Sequence, residues 1–263
     1  MEDASKKLLS ARISDLIAEA DRGYVTNTAF LDPAEVYYAE GYILQTGAKE
    51  RCVFFGGYKD AERKCLFVLP EYYVAMVDSG EDPEDFTEIR ETVVPVSVKG
   101  SGYKVLSHRD YLGALLNMGI ERSAIGDICV TSEHECVVFA LPSVAELILS
   151  LCERIGADKV KVAKLDLNSN FSYERKTKSI SDTVASDRAD CVVAALTGES
   201  REKAKALISS GLVECNYSPC QKTDVRISNG DVISIRGVGK FVICDITEET
   251  KKGRIRLSAK KFI

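Results

Sequence analysis

The sequence predicts an α+β protein in three segments, on three observations. Helix-period and strand-period apolar runs alternate along the chain, two polar stretches interrupt them, and positive charge collects in the last third. With 263 residues, 45% hydrophobic and 29% charged, the chain can bury more core than one compact domain needs. Asp78-Ser-Gly-Glu-Asp-Pro-Glu-Asp85 is an acidic loop, and the run from Asn168 to Asp182 has little apolar content and no period. The expected segments are therefore a small α+β unit over 1–77, a second domain over 78–167 and a third over 182–263, with 168–181 as linker.

In the first segment Leu9, Ile13, Leu16, Ile17 and Ala20 fall on one helical face. Asp32 followed by Pro33 starts a second helix, which runs through Val36 to Leu44: aspartate caps a helix start, and proline in the first turn gives up no hydrogen bond. Two strand-length apolar runs, Cys52–Phe55 and Cys65–Leu69, flank Gly56-Gly57-Tyr58-Lys59-Asp60-Ala61-Glu62-Arg63, which reads as a hairpin loop. The Gly56-Gly57 pair suits either a tight turn or a loop that contacts RNA.

The second segment runs strand (Val93–Val98), helix (Arg109–Met118), strand (Ile128–Thr131), strand (Cys136–Leu141), helix (Ser143–Ile155) and strand (Val160–Leu167). This βαββαβ order is that of ferredoxin-like domains. Such a sheet is a frequent RNA-binding scaffold, but fold alone does not establish function.

In the third segment Ser186-Asp187-Arg188 reads as a capped helix start, with Ala189, Val192, Val193 and Leu196 on one face. A second short helix begins at Ser200, buries Ala204, Leu207 and Ile208, and stops at Gly211. Strands are expected at Leu212–Asn216, Val225–Ile227 and Val232–Arg236, with Asn229-Gly230-Asp231 as a hairpin-type turn.

Composition narrows the function. No run approaches the roughly 18 apolar residues of a membrane helix, and no signal peptide is recognisable, so a soluble cytoplasmic protein is expected. The nine cysteines are an odd number scattered through apolar runs, without a C-x-x-C pair, and read as reduced core residues. With histidines only at 108 and 134, no zinc set of ordinary spacing forms, even around Cys215 and Cys220, and neither metal nor cofactor is expected. The net charge of −5 argues at first against nucleic acid. Its distribution reverses that: residues 182–263 hold 14 Lys+Arg against 11 Asp+Glu, and the rest of the chain holds 21 against 29.

On the second short helix Arg201 and Lys205 are four apart and face away from Ala204, Leu207 and Ile208. Arg188 joins them if the helices pack side by side, and three cations beside helix N-terminal amides suit the phosphates of folded RNA. The alternative is a merely solvated surface. The residue order Arg188-Ala-Asp190, Ser200-Arg201 with Ala204, Leu207, Ile208, Gly211, Val213 and Asn216, then Gly230-Asp231-Val-Ile resembles the S-four RNA-binding domain. That resemblance implies RNA contacts by Arg188, Ser200, Arg201, Lys205 and Lys203, and Asn216 of the same motif is a further RNA-binding candidate. Ala189 departs from its usual Leu, and Cys215-Asn216-Tyr217 departs from its usual Val-Asn-Gly.

Further runs extend the likeness. Leu31-Asp32-Pro33, Phe55-Gly56-Gly57-Tyr58, Ala61-Glu62-Arg63, His108-Arg109-Asp110-Tyr111-Leu112-Gly113, Gly119-Ile120-Glu121-Arg122, Ile125-Gly126-Asp127-Ile128 and Arg236-Gly237-Val238-Gly239-Lys240-Phe241 are similar to bacterial YlmH-type proteins. The resemblance implies a non-catalytic, monomeric factor of ribosome-associated quality control. Its partners would be rRNA and tRNA on the large subunit, where it would steady P-site peptidyl-tRNA.

His108, Arg109 and Arg122 are candidates for a second RNA surface, His108 alternatively as a capping or packing residue. His108-Arg109-Asp110 lacks the asparagine a kinase loop needs, position 115 being Leu. No helix is expected after the glycines of Arg236–Lys240, so Arg236 and Lys240 fit a basic strand edge, which the six cations of the 251–263 tail would extend. The competing readings are an rRNA-modifying enzyme, a pseudouridine synthase or methyltransferase targeted by its C-terminal domain, and a protein-interaction adaptor. The first would need a catalytic aspartate, for which Asp110 and Asp127 are the candidates, or a Gly-rich cofactor turn, of which 1–181 shows none.

Overall fold

The computed structural model describes residues 3–166, 171–247 and 253–263. Leu167, the start of the expected linker at 168–170, and Lys251 and Lys252 of the tail lie outside them. The chain folds as two compact units, 2–173 and 174–263, so the expected boundary at 77/78 falls inside the first. Among the described residues no helix is long and apolar enough to cross a membrane.

The first unit opens with α1 (Asp3–Ala20), whose Leu9, Ile13, Leu16 and Ala20 are buried. The Thr26 hydroxyl of β1 (Thr26–Asn27) donates to Leu16 O at 3.0 Å. Asp32 caps α2 (Pro33–Thr46) by accepting from the amides of Ala34 and Glu35, while Glu35 accepts from Asp32 N. The expected hairpin is β2 (Cys52–Phe55) against β3 (Cys65–Val68), and β1 completes a sheet of order β1-β3-β2. Burial pushes the Cys65 thiol up to about 12, as befits a core side chain. Two helices that the acidic composition concealed then flank the predicted loop, α3 (Glu71–Asp78) and α4 (Thr87–Thr92).

The second predicted segment follows as β4 (Val94–Gly100), α5 (His108–Asn117), β5 (Ile125–Ser132), β6 (Glu135–Ala140), α6 (Pro142–Leu151), β7 (Arg154–Ile155) and β8 (Asp158–Lys164). The sheet order is β5-β6-β4-β8-β7, with every neighbour antiparallel, which is the ferredoxin-like arrangement with one short strand added. That strand corrects the helix expected over Ser143–Ile155. The helix ends at Leu151, and a turn at Gly156, φ +58°, brings Ile155 back against Asp158.

One sheet face packs on α5 and α6 through Val96, Val98, Tyr111, Leu115, Ile128, Val138 and Ile148. The other face shares a core with the N-terminal elements: Cys129, Val137 and Phe139 lie among Phe30, Tyr58, Phe67, Phe86 and Ile89. The Gly56–Arg63 loop fastens the two. Asp127 accepts from Tyr58 OH at 2.8 Å, Glu62 N at 2.8 Å and Arg63 N at 3.2 Å, and the Arg63 guanidinium donates to Ile125 O and Phe30 O. Gly57 has φ +95°, and a Cβ there would lie 2.2 Å from the Phe139 ring. The glycine pair is thus a packing requirement.

The second unit begins with β9 (Thr177–Val184), which the sequence reading placed largely in a linker. It is followed by α7 (Ala189–Thr197), α8 (Arg201–Ser209), β10 (Val213–Cys215), β11 (Ser218–Pro219), β12 (Val232–Ile235), β13 (Gly239–Asp245) and β14 (Ile255–Phe262). These strands form one antiparallel sheet of order β11-β10-β12-β13-β14-β9. Ala189, Val192, Val193, Leu196, Ala204 and Ile208 of the helices pack on Val213, Ile233, Ile235, Phe241, Ile243 and Leu257 of the sheet.

Val225–Ile227 forms no ladder. Its backbone instead meets the approach to α7 through a single bridge between Arg188 and Arg226, so Asn229–Asp231 is a turn leading into β12 rather than a hairpin. After Asn216, at φ +48°, Tyr217 takes φ +61° where the S-four pattern usually has glycine.

Candidate nucleic-acid interface

The N-termini of α7 and α8 meet at a buried carboxylate. Asp190, fully buried, accepts from Arg188 Nε at 3.3 Å and from Arg201 Nε at 2.9 Å, with Arg201 Nη2 also 2.9 Å away. Burial alone pushes the Asp190 carboxyl up, but the hydrogen bonds and charges of the two arginines outweigh it and hold it below the usual carboxylate range. The same bond raises the Arg201 guanidinium. The arginine side chains remain 36% and 48% exposed, so one buried anchor fixes two guanidiniums that are still open to solvent in part.

The expected cap on α7 is corrected: its N-cap is Arg188, without a side-chain cap bond. The amides of Ala189 and Asp190 donate instead to the carbonyls of Val225 and Thr223, which takes them out of any phosphate site. Ser200 does cap α8, accepting from Lys203 N at 3.3 Å. Lys203 pairs with Glu199 at 2.7 Å and Lys205 with Glu202 at 2.9 Å. Exposed pairs of this kind contribute about 0–1 kcal/mol, so exchanging them for phosphates costs little.

Asn216 is held inside the fold: Nδ2 donates to Asp231 Oδ1 and Oδ1 accepts from Val232 N, both at 2.9 Å. Arg236 is exposed just after β12, and Lys240 Nζ lies 5.3 Å from the Tyr217 ring centre and 5.4 Å from that of Phe262.

Of the second expected surface, the structure keeps His108 and Arg109 together and exposed on the first turn of α5. The cap there is Ser107, whose hydroxyl and amide donate to Asp110. Arg122 is turned inward, its Nη1 donating to Ile125 O and Gly126 O. Burial and the neighbouring Arg63 charge bring its guanidinium down to about 10. Both aspartates considered for catalysis are engaged, Asp110 in the cap and Asp127 in the loop latch.

A family profile described as "Putative RNA-binding domain in YlmH" matches residues 91–169. The Bacillus subtilis (strain 168) protein named ribosome-associated protein quality control protein P2 is 31% identical over 231 residues, covering 88% of this chain and 85% of its own length. This chain belongs to the YlmH family. The YlmH-family chain is also similar to a solved structure, the cell division protein YlmH from Streptococcus pneumoniae, at 18% identity and a TM-score of 0.48, over 63% of this chain and 94% of that one.

One cation escaped sequence reasoning. Arg226 sits opposite Arg188 across the isolated bridge, its side chain 70% exposed and paired with Asp187. A chain crossing between residues 38 apart leaves no periodic trace, and only the apolar flanks Val225 and Ile227 marked the segment.

Proposed function

We propose that this YlmH-family protein binds RNA on the ribosome without catalysing a reaction, and that it holds peptidyl-tRNA in the P site of the large subunit during ribosome-associated quality control. The observation that carries the reading is the Arg188–Asp190–Arg201 cluster, a buried carboxylate that presents two guanidiniums beside Arg226 and Lys205. Guanidinium forks match phosphate geometry, and rigidity lowers the entropy lost on docking. The name of the Bacillus relative and the RNA-binding profile support the ribosomal setting. The structural duties of Asp110 and Asp127 disfavour the modifying-enzyme reading.

Reversing Arg201 would leave Asp190 buried against a second carboxylate and unfold the site, so the test uses Lys205→Glu, whose partner Glu202 is exposed, with Arg226→Gln, which removes the charge without setting a carboxylate against the part-buried Asp187. The double variant is expected to lose co-sedimentation with large subunits at moderate salt while its thermal unfolding is unchanged. Undiminished co-sedimentation of a folded variant refutes this surface.

A further inference from the structure

Side chains alternate faces along β4 and β8, and the register puts Ser97 opposite Ala163 and Lys99 opposite Lys161. Lys159 shares that face two residues before Lys161, and Arg154 of β7 stands opposite Lys159. Four cations therefore occupy neighbouring positions on one side of the sheet edge. At the other end of this face Tyr58 stacks on Phe139, 5.2 Å between ring centres, but at this end Lys99, Lys159, Lys161 and Arg154 are exposed.

Like charges directly opposite each other destabilise a sheet, with Cβ atoms only about 5 Å apart. Glu135 lies 4.0 Å from Lys99, and among the described residues Lys159 and Lys161 make no ion pair. Arg154 Nη2 donates to Ala157 O at 2.7 Å, so folding accounts in part for Arg154 and Lys99 but not for Lys159 and Lys161.

An exposed aromatic residue lies in the loop that follows β4. The loop after β4 is pinned at both ends: Ser101 N donates to Lys159 O at 2.9 Å, and His134 Nδ1 lies 3.0 Å from Lys104 O. Between these points Tyr103 is 80% exposed.

We propose that Arg154, Lys159, Lys161 and Lys99 form a phosphate track for a single-stranded RNA segment, with Tyr103 stacking one of its bases. The inference rests on the RNA-binding reading above and adds a second surface within the region matched by the RNA-binding profile. Lys159 and Lys161 are about 6.6 Å apart along one strand, a spacing that suits successive phosphates of an extended chain. A stacking platform accepts only an unpaired base, which selects single strands over duplexes.

The test titrates the full-length protein with fluorescently labelled oligouridylate, an RNA hairpin of equal length and polyglutamate. Lys159→Gln with Lys161→Gln is expected to weaken oligouridylate binding and to lower the slope of log affinity against log salt by about 1.4, that is about 0.7 for each phosphate no longer neutralised. Tyr103→Ala is expected to weaken it about tenfold with the slope unchanged. Relief of the Lys99–Lys161 repulsion should hold or raise the melting temperature of the lysine variant, which shows that it is folded.

Unchanged oligouridylate affinity and slope overturn the proposal, as does a wild-type chain that ignores oligouridylate. Equal losses on the hairpin point to a duplex site, and equal losses on polyglutamate to an acidic-protein site, and either overturns it as well. Large-subunit co-sedimentation by the same lysine variant separates this inference from the function proposed above. If subunits still bind while the oligouridylate arms fail, only the track is wrong.

Discussion

Replacing Asp190 by Asn keeps the shape of the side chain and removes the charge that orders Arg188 and Arg201. The amide keeps one acceptor oxygen and turns an NH2 donor toward the other arginine, so of the two charge-assisted hydrogen bonds to the fully buried carboxylate one is weakened and one is lost. Inside a protein each such bond contributes roughly 1.5–3 kcal/mol. Because the arginines are a third to a half exposed, water screens the charge that remains, and about 1 kcal/mol for each bond is the better figure. The expected loss at pH 7 is therefore about 2 kcal/mol. The Asp190 carboxyl lies below its unfolded value of roughly 3.9, so its contribution is complete above that pH and disappears as pH falls through the folded value. The gap between wild type and Asp190→Asn should thus close in acid, below about pH 4. Hydrogen exchange of the α7 and α8 amides is the suitable assay, since a chain of two compact units need not unfold in one step. Equal protection at pH 7, or a gap that persists undiminished at pH 3, would refute the view that this carboxylate organises the arginines.

Gly57→Ala should destabilise the first unit by about 2–4 kcal/mol, from overpacking against Phe139 and a disfavoured positive φ, as read by thermal unfolding. Gly41→Ala in α2, where the added Cβ meets nothing within 4 Å, should instead stabilise by about 0.5–1 kcal/mol, and a loss there would contradict the packing described. Asn216→Ala should cost about 2–3 kcal/mol, because it strands the Val232 amide and leaves a left-handed backbone without its side-chain bonds. Urea unfolding followed in the second unit checks this, and a change within 0.5 kcal/mol, the scatter of a neutral surface substitution, would free Asn216 from the structural role.

Where one face of an element meets the core and the other meets water, the sequence shows it. Leu9, Ile13 and Leu16 on α1, and Val94, Val96 and Val98 on β4, repeat at the period of their elements, and the capping of α2 by Asp32 is a local event within four residues. The elements that were missed lack such a signal. Among the described residues β9 is an edge strand paired with β14 alone, so Ile180 and Val184 suffice to seat it and its Thr and Ser residues read as linker. The region around α3 and α4 reads as loop because the acidic stretch between them dominates the composition, although Phe86 and Ile89 are buried there.

The candidate site divides in the same way. Arg201 and Lys205 are one helical turn apart, so their common face follows from spacing alone. The sharing of Asp190 by Arg188 and Arg201, the approach of Arg226 and the Lys99–Lys161 pair each depend on residues between 11 and 62 positions apart meeting across a turn or a sheet. Such contacts are set by register, and register is fixed by the whole pattern of apolar side chains rather than by any local string. The same logic explains Arg122. Sequence made it a candidate for an RNA surface, but its Nη1 donates to the carbonyls of Ile125 and Gly126, the first shared with Arg63. An arginine near a glycine-containing run is therefore weak evidence for a phosphate contact until its own hydrogen bonds have been traced.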